Sequence, residues 1–261
     1  MKHLTPAFLL LCLVPSFAFT QIAFFGRNFE MYKAMFCFSE KDLEGKRILD
    51  AASGPSTFLA EMKQRGTLGA GSVGVDIGYG TVEQMESSVE AGMKQAFAPI
   101  QNGSYKTYPL ERQVSMLEKY IEFSSVQQAF LRYFRQFPEL YVHGDIRDLS
   151  SAVGQAAKFD YVLSANLLFL YSERDLDEAF HRDAILSMAN RLKDDGELRI
   201  FPLDDLKARS PEFLPHLLKD LEATDLNIEI RQGCSASTGQ VMTGQSAKRG
   251  QMLVLRGRAN H

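Results

Sequence analysis

The chain has 261 residues, of which 45% are hydrophobic and 23% charged, and its net charge at pH 7 is −3. This length suits one large α/β domain, or one domain with an insertion, and the composition is that of a globular protein. No run of lysine and arginine is longer than two residues. The sequence therefore does not indicate a groove for nucleic acid, and we expect a partner of another kind.

The first residues combine features of two kinds of segment. Residues 1–3 precede an apolar run at 8–14, and residues 16–18 resemble a small-residue cleavage site, which together is the pattern of a signal peptide. The run is short, has a proline on each side and is not long enough to span a bilayer. We favour an N-terminal helix packed on the domain of a cytoplasmic protein. The alternative is an exported protein from which residues 1–18 are cleaved.

The three cysteines, Cys12, Cys37 and Cys234, are widely separated along the chain. Their number is odd, and their spacing matches neither a metal site nor a disulfide framework. We therefore expect reduced thiols and no bound metal.

The most informative stretch is an abrupt turn between a strand and a helix. Ile48 and Leu49 end a short apolar strand, residues 51–56 are all small, and apolar residues recur at helical spacing from Phe58. A turn of small residues lets backbone N–H groups approach a ligand closely. Doubly wound α/β proteins bind nucleotides at such a turn.

The chain then alternates between strand and helix patterns. Further strands are expected at 71–77, 140–145, 158–166, 197–202, 226–231 and 251–256. Helices are expected at 59–65, 82–97, 110–137, 176–192 and 213–223. Because the last two strands are joined by a loop without a helix, they form a hairpin. We expect a seven-stranded, mostly parallel sheet with an antiparallel last strand.

The segment between the second and third strands is longer than a crossover requires. Residues 81–139 contain two helical patterns separated by a connector rich in proline, glycine and asparagine. We interpret this segment as a helical cap inserted into a main domain of residues 46–256. Residues 1–45 then form an N-terminal helical segment, and residues 257–261 form a tail.

The residues at the strand ends resemble the motifs of the class I S-adenosylmethionine-dependent methyltransferases. Residues 47–56 resemble the first motif, with Ala52 and Ser56 in place of two glycines. The later motifs match at residues 73–76, 144–146, 159–166 and 192–200. A narrower likeness, to bacterial methyltransferase-like proteins of unassigned substrate, lies in residues 26–36, 169–172 and 201–203. The resemblance implies a Rossmann-like doubly wound sheet and S-adenosylmethionine as the cofactor.

The resemblance also implies a cofactor site. Asp76 would accept hydrogen bonds from the two ribose hydroxyls, a task that suits a carboxylate. Asp145 would meet the adenine amino group, and Ile146 would pack on the ring. Gly54 would lie at the methionine end. The predicted cofactor-binding residues are Arg27, Tyr32, Asp50, Ala51, Ser53, Gly54, Asp76, Ile77, Asp145, Ile146 and Asn166.

The acceptor is expected just beyond the fourth strand. Asn166 and Tyr171 are the candidate catalytic residues, since they follow that strand and could orient the acceptor. Enzymes of this class that methylate DNA or glutamine amides carry two prolines here, which this chain lacks. His143 and His181 are interpreted as structural. The sulfonium is a good leaving group, so alignment matters more than a catalytic base.

The predicted function is methyl transfer from S-adenosylmethionine to an unidentified small-molecule acceptor. The alternative is a methyltransferase-like protein that binds a cofactor or a partner without catalysis. A nicotinamide-dependent dehydrogenase is disfavoured because residues 52–56 lack the glycine pattern that a pyrophosphate requires. We expect no transmembrane segment, and the sequence does not indicate the oligomeric state.

Overall fold

The computed structural model describes residues 24–173, 176–236 and 249–257, so the signal-like segment at 1–18 lies outside the described residues. The strands are β1 (Ile48–Ala51), β2 (Val73–Asp76), β3 (Tyr141–His143), β4 (Phe159–Ala165), β5 (Leu192–Phe201), β6 (Leu226–Ala236) and β7 (Arg249–Gly257). They form one sheet in the order β3-β2-β1-β4-β5-β7-β6. β7 runs antiparallel to both of its neighbours, β5 and β6, and the other strand pairs of this sheet are parallel. The predicted fold class is confirmed.

Side-chain caps define where several helices begin. The helices are α1 (Phe29–Phe36), α2 (Glu40–Leu43), α3 (Phe58–Gln64), α4 (Val82–Ala96), α5 (Ala98–Gln101), α6 (Leu110–Gln136), α7 (Leu149–Val153), α8 (Glu178–Ala189) and α9 (Leu214–Glu222). Asn28 caps α1, Thr81 forms a capping box at α4, and Asp177 caps α8. Asp148 caps α7.

Apolar layers cover both faces of the sheet. One contains Ile185 of α8 and Leu217 of α9, and the other contains Phe36 of α1 and Phe58 of α3. The N-terminal helix therefore belongs to the core of the domain. Between β2 and β3 the chain forms α4, α5 and α6. No helix of the described residues combines the length and the apolar character of a membrane span.

The boundary between α8 and β5 differs from the prediction. The helix ends at Ala189, and β5 already begins at Leu192 rather than at residue 197. The polar stretch Asp194-Asp195-Gly196, which reads as a turn, lies inside the strand at an irregularity in its pairing with β4. A bulge accommodates turn-forming residues within a strand, which explains why the pattern predicts the boundary too late.

The expectation of reduced thiols is wrong for two of the three cysteines. Cys37, at the end of α1, forms a disulfide with Cys234 of β6, and their Cα atoms lie 5.3 Å apart. The two residues are 197 positions apart in sequence, so spacing along the chain carries no sign of the pairing. They meet because α1 packs against the edge of the sheet that carries β6. Cys12 lies outside the described residues.

Candidate functional site

A cavity of about 530 Å³ lies at the carboxyl ends of β1 to β4. The strand order reverses there, because the chain builds outward from β1 through β2 and β3 on one side and from β4 to β5 on the other. Ligands of open α/β sheets bind at such a switch point. The cavity is therefore the candidate site. Its lining includes Ala52, Ser53, Gly54, Asp76, Ile77, Gly78, Gly144, Asp145, Ile146, Ala165, Asn166 and Leu167.

The turn after β1 uses a left-handed backbone at two positions. Gly54 has a φ of +54°, which glycine adopts without cost. Ala52, which replaces a glycine of the resembled motif, has a φ of +57°. This conformation costs a residue with a Cβ about 1–2 kcal/mol. The turn is therefore preserved with alanine, and surrounding contacts must stabilise it.

Two tyrosines from other segments hold this turn. The Tyr79 hydroxyl donates a hydrogen bond to the Gly54 carbonyl (2.6 Å) and lies 2.6 Å from Ser53 Oγ. The Tyr141 hydroxyl donates to the Ser56 carbonyl at 3.2 Å. The two rings pack edge to face, and both contact an aromatic side chain of α6. Sequence reasoning missed both tyrosines, although Tyr79 follows the second motif by only three residues.

Asp76 lies at the end of β2 and faces the same turn. Its carboxylate accepts hydrogen bonds from the backbone N–H of Gly54 (2.8 Å) and of Gly78 (2.7 Å), one on each oxygen. Burial raises the pKa of Asp76, and these two N–H groups oppose the rise. Each oxygen keeps a further lone pair that can accept from a ligand. Ile77, 50% exposed, lies next to it on the cavity wall.

Asp145 lies at the end of β3, on the same side of the cavity. The guanidinium of Arg147 contacts both carboxylate oxygens, with Nε at 3.1 and 3.0 Å. This contact lowers the pKa of Asp145, so the group is charged at neutral pH. The guanidinium of Arg147 also lies over the ring of Phe180, 5.1 Å from its centroid. Ile146 is buried and completes the wall.

Comparisons with known proteins give structural neighbours only. No family model matches the chain, and no curated protein matches it. A TehB-like S-adenosylmethionine-dependent methyltransferase from Corynebacterium glutamicum is similar at 18% identity and a TM-score of 0.40, over 82% of this chain and 81% of that one. The glycopeptide N-methyltransferase MtfA complexed with sinefungin is similar at 12% identity and a TM-score of 0.39, over 81% and 86%. An rRNA methylase from Streptococcus thermophilus is similar at 10% identity and a TM-score of 0.39, over 84% and 90%.

The strand order decides the fold independently of these distant neighbours. Five parallel strands spread outward from β1 and β4, and an antiparallel β7 is inserted between β5 and β6. This is the arrangement of the class I methyltransferases. The chain has the class I methyltransferase fold.

The cavity of this methyltransferase fold brings together most of the residues that the sequence singles out. Those that line it are Arg27, Tyr32, Ser53, Gly54, Asp76, Ile77, Asp145, Ile146, Asn166 and Tyr171. Asp50 and Ala51 do not line it, because they lie in β1 behind the turn, where they are 1% and 0% exposed. Asp50 and Ala51 therefore lie on the interior side of the turn and not on the cavity side.

Asp50 is paired with Tyr32 in the interior. The Tyr32 hydroxyl lies 2.8 Å from both carboxylate oxygens, and its ring stacks on Phe58 with 4.3 Å between centroids. Burial raises the pKa of Asp50 to about 7. The hydroxyl of Tyr32 is therefore bonded to Asp50, and Tyr32 also belongs to the cavity lining.

Residues 24–27, which we call the strap, cross over the turn from outside. A Cβ on Gly26 would lie 1.9 Å from the Pro55 carbonyl oxygen, so only glycine fits this crossing. The backbone N–H of Thr57 donates to the carbonyl of Arg27 at 2.9 Å. The strap thereby closes the cavity above the turn, and most of its side chains line it.

Arg27 places a buried cation in the cavity wall. It is 6% exposed, and its Nη1 donates to the carbonyls of Phe25 (2.9 Å) and Gly26 (3.0 Å). The guanidinium also lies 5.2 Å from the centroid of the Phe123 ring of α6. Burial lowers the pKa of Arg27 to about 10, which leaves it protonated at neutral pH.

The end of β4 contributes Asn166 and Tyr171. Asn166 has a φ of +58°, and its backbone N–H donates to the Phe201 carbonyl at 2.7 Å. Its side-chain amide donates to the sulfur of Met35 at 3.2 Å, so α1 contacts this end of the cavity as well. Tyr171 is 8% exposed and lines the cavity next to the same loop.

The two histidines considered from the sequence lie in structural positions. His181 is fully buried, its Nδ1 lies 2.7 Å from the Asp177 carbonyl, and its ring contacts Phe169 and Phe213. Burial lowers its pKa. His143 Nδ1 lies 2.9 Å from the Tyr79 carbonyl. Neither histidine lines the cavity.

Proposed function

We propose that this protein transfers a methyl group from S-adenosylmethionine to a small-molecule acceptor. The observation that carries the proposal is the position of Asp76, whose carboxylate is fixed by two backbone N–H groups where β2 meets the turn. A carboxylate held in this way is suited to the two hydroxyls of a ribose. Ile77 and Ile146 offer apolar surface for an adenine, and the cation of Arg27 suits the carboxylate of a bound amino acid.

The chain's own residues would act by binding and alignment. When bound, S-adenosylmethionine supplies a methyl group activated by a sulfonium. The turn at Gly54 and the ring of Tyr32 would fix one end of the cofactor, while Asn166 and Tyr171 would orient the acceptor towards it. The strap would exclude water from the site. Holding two reactants in line accounts for a large part of such a rate enhancement.

The acceptor is proposed to be small because of the size of the cavity. Its volume of about 530 Å³ lies within the range of about 300–1,000 Å³ that is usual for small-ligand sites. In a cavity of this volume, bound S-adenosylmethionine would leave room for a compact acceptor only. The glycopeptide and the rRNA in the names of the structural neighbours are substrates of those proteins.

Replacing Asp76 with asparagine tests the cofactor assignment. We expect the affinity for S-adenosylhomocysteine, measured by titration calorimetry, to fall by about tenfold or more, because an amide nitrogen cannot accept hydrogen bonds from the ribose or the backbone. Asp148→Asn is the matched control, since Asp148 follows the neighbouring strand β3 but caps α7 outside the cavity. If the unmodified protein shows no affinity for S-adenosylhomocysteine, the proposal is rejected.

Replacing Tyr79 with phenylalanine tests the role of the turn. The ring stays, but the hydrogen bond to Gly54 and the contact with Ser53 are lost. We expect KM for S-adenosylmethionine to rise about tenfold while kcat at saturation changes little, since one hydrogen bond contributes about 0.5–1.5 kcal/mol. The control is Tyr133→Phe, whose hydroxyl contacts the exposed Gln64. Equal KM values in both variants would show that Tyr79 does not position the turn.

The compartment is part of this proposal. The cytoplasm is favoured because an enzyme that uses S-adenosylmethionine needs a supply of that cofactor. The disulfide between Cys37 and Cys234 favours the exported alternative, since disulfides persist mainly in oxidising compartments. The redox state of the two cysteines in the cell separates these possibilities.

A further inference from the structure

The cavity is wider than the turn and Asp76 alone would need. Its lining reaches from Asp145 after β3, across β2, β1 and β4, to Leu206 after β5. Neighbouring strands are about 4.8 Å apart, so this lining spans roughly 19 Å of the sheet edge. The charged groups Asp76 and Asp145 lie on the half formed by β2 and β3. The half formed by β4 and β5 is therefore available to a second molecule.

Three leucines contribute apolar surface to the β4 and β5 half, beside Asn166 and Tyr171. Leu170 and Leu176 are 3% and 2% exposed, and Leu206 packs against the same cluster. All three line the cavity. We call them the leucine triad. A polar group placed against such a surface loses its hydrogen bonds to water, whereas an apolar group gains free energy there.

The leucine triad is held in place by the backbone. The N–H of Leu206 donates to the carbonyl of Leu170 at 3.2 Å, which joins the loop after β5 to the loop after β4. Asp205, 3% exposed, accepts from the N–H groups of Lys207 (2.7 Å) and Arg209 (2.9 Å). The loop that carries Leu206 is therefore ordered before any ligand binds, as a specificity surface requires.

We propose that the leucine triad binds the apolar body of a hydrophobic small-molecule acceptor. This inference rests on the proposed function and names the substrate class of the same site. The heteroatom of the acceptor would lie towards Asn166 and Tyr171. Its lone pair forms a bond to the methyl carbon while the carbon–sulfur bond breaks. The bonding electrons remain on sulfur as a neutral thioether, and any proton on the heteroatom leaves to water.

Methyl labelling of a cell extract tests the substrate class. The full chain is incubated with S-adenosylmethionine labelled in the methyl group, and the products are divided into acid-insoluble, aqueous and organic-solvent fractions. We expect most of the label in the organic fraction. Label mainly in the acid-insoluble fraction, which holds protein and RNA, or in the aqueous fraction, overturns the inference while leaving the proposed function standing.

Titration with S-adenosylhomocysteine distinguishes a failure of the proposed function from a failure of this inference. Absence of binding, or binding without label in any fraction, counts against the methyltransferase function and against this inference with it. Binding with label in the wrong fraction counts against the inference alone.

A polar substitution in the leucine triad gives the second test. Leu206→Gln is expected to lower labelling of the organic fraction about tenfold at low extract concentration, in line with loss of about 1–2 kcal/mol of apolar contact. Its affinity for S-adenosylhomocysteine should stay within about twofold of the unmodified protein. Leu218→Gln is the matched control, because Leu218 is also half-buried but lies on α9 outside the cavity. Equal labelling by the two variants overturns the inference.

Discussion

At pH 8, Asp50→Asn is expected to raise the free energy of unfolding by about 2–4 kcal/mol. Asp50 is almost fully buried in β1, and burial raises its pKa from 3.8 to about 7. Its ionised form is therefore costly in the folded protein, and the hydroxyl of Tyr32 offsets only part of this cost. An asparagine keeps an oxygen for Tyr32 and has no charge to bury.

The effect has a definite dependence on pH. The unfolded chain loses the proton of Asp50 near pH 4, whereas the folded chain keeps it until about pH 7. The stability that this proton supplies is complete below the lower value and is lost as the pH rises through the interval, by about 1.4 kcal/mol per pH unit. The Asp50→Asn variant does not lose this stability. The difference in free energy of unfolding between the variant and the unmodified protein should therefore grow from pH 4 to pH 7 and then level off.

Urea denaturation at several pH values measures this difference. Asp160→Asn serves as the control, because Lys193 and the backbone N–H of Arg47 lower the pKa of Asp160. Its removal should give no gain that grows with pH. A constant difference between Asp50→Asn and the unmodified protein from pH 4 to pH 8 would show that the Asp50 carboxyl titrates alike in both states.

Reduction of the Cys37–Cys234 disulfide is expected to lower the free energy of unfolding by about 2–5 kcal/mol. The bond closes a loop across 197 positions, and loops of this length lose the most freedom in the unfolded chain. The variant Cys37→Ser should show the same loss without reductant. Denaturant curves with and without a thiol reductant measure it, and Cys12→Ser is the control that should leave the difference unchanged.

A thiol count checks the bond itself. The denatured, unreduced full chain should contain one reactive thiol, that of Cys12, because the other two of the three cysteines are paired. Three reactive thiols would contradict the disulfide. The same count on protein alkylated inside its own cells bears on the compartment. No reactive thiol supports export, because Cys12 is removed with residues 1–18 and the other two cysteines are paired, and three support the cytoplasm.

The sequence predicts the fold well because its signals are local. Each strand of the parallel half is a short apolar run, and the final strands lack a helix between them, which is sufficient to predict the order of elements and the antiparallel finish. Gly54 and Asp76 are singled out in the same way, since Asp76 ends β2 and Gly54 lies in the turn after β1. The bulge displaces the start of β5, and β6 runs on to Ala236, beyond the predicted end at residue 231.

Contacts between distant segments account for what the sequence does not predict. Tyr79 and Gly54 are 25 positions apart in the sequence, and Tyr32 and Asp50 are 18 positions apart. A single sequence does not indicate that either pair is in contact. The disulfide is the extreme case. The leucine triad is scattered over the loops after β4 and β5, where each leucine alone resembles an ordinary core residue.

The strap has a consequence for which ligands the cavity can hold. In dinucleotide-binding folds, free amides at the start of the helix after the turn bind a phosphate. Here the N–H of Thr57 is bound to the Arg27 carbonyl, and that of Phe58 lies 3.2 Å from Ser56 Oγ. To bind the N–H of Thr57, a phosphate would have to displace the carbonyl of Arg27, which is part of the backbone of the strap. The strap therefore disfavours a phosphate at the start of α3, because the amides of Thr57 and Phe58 already have partners.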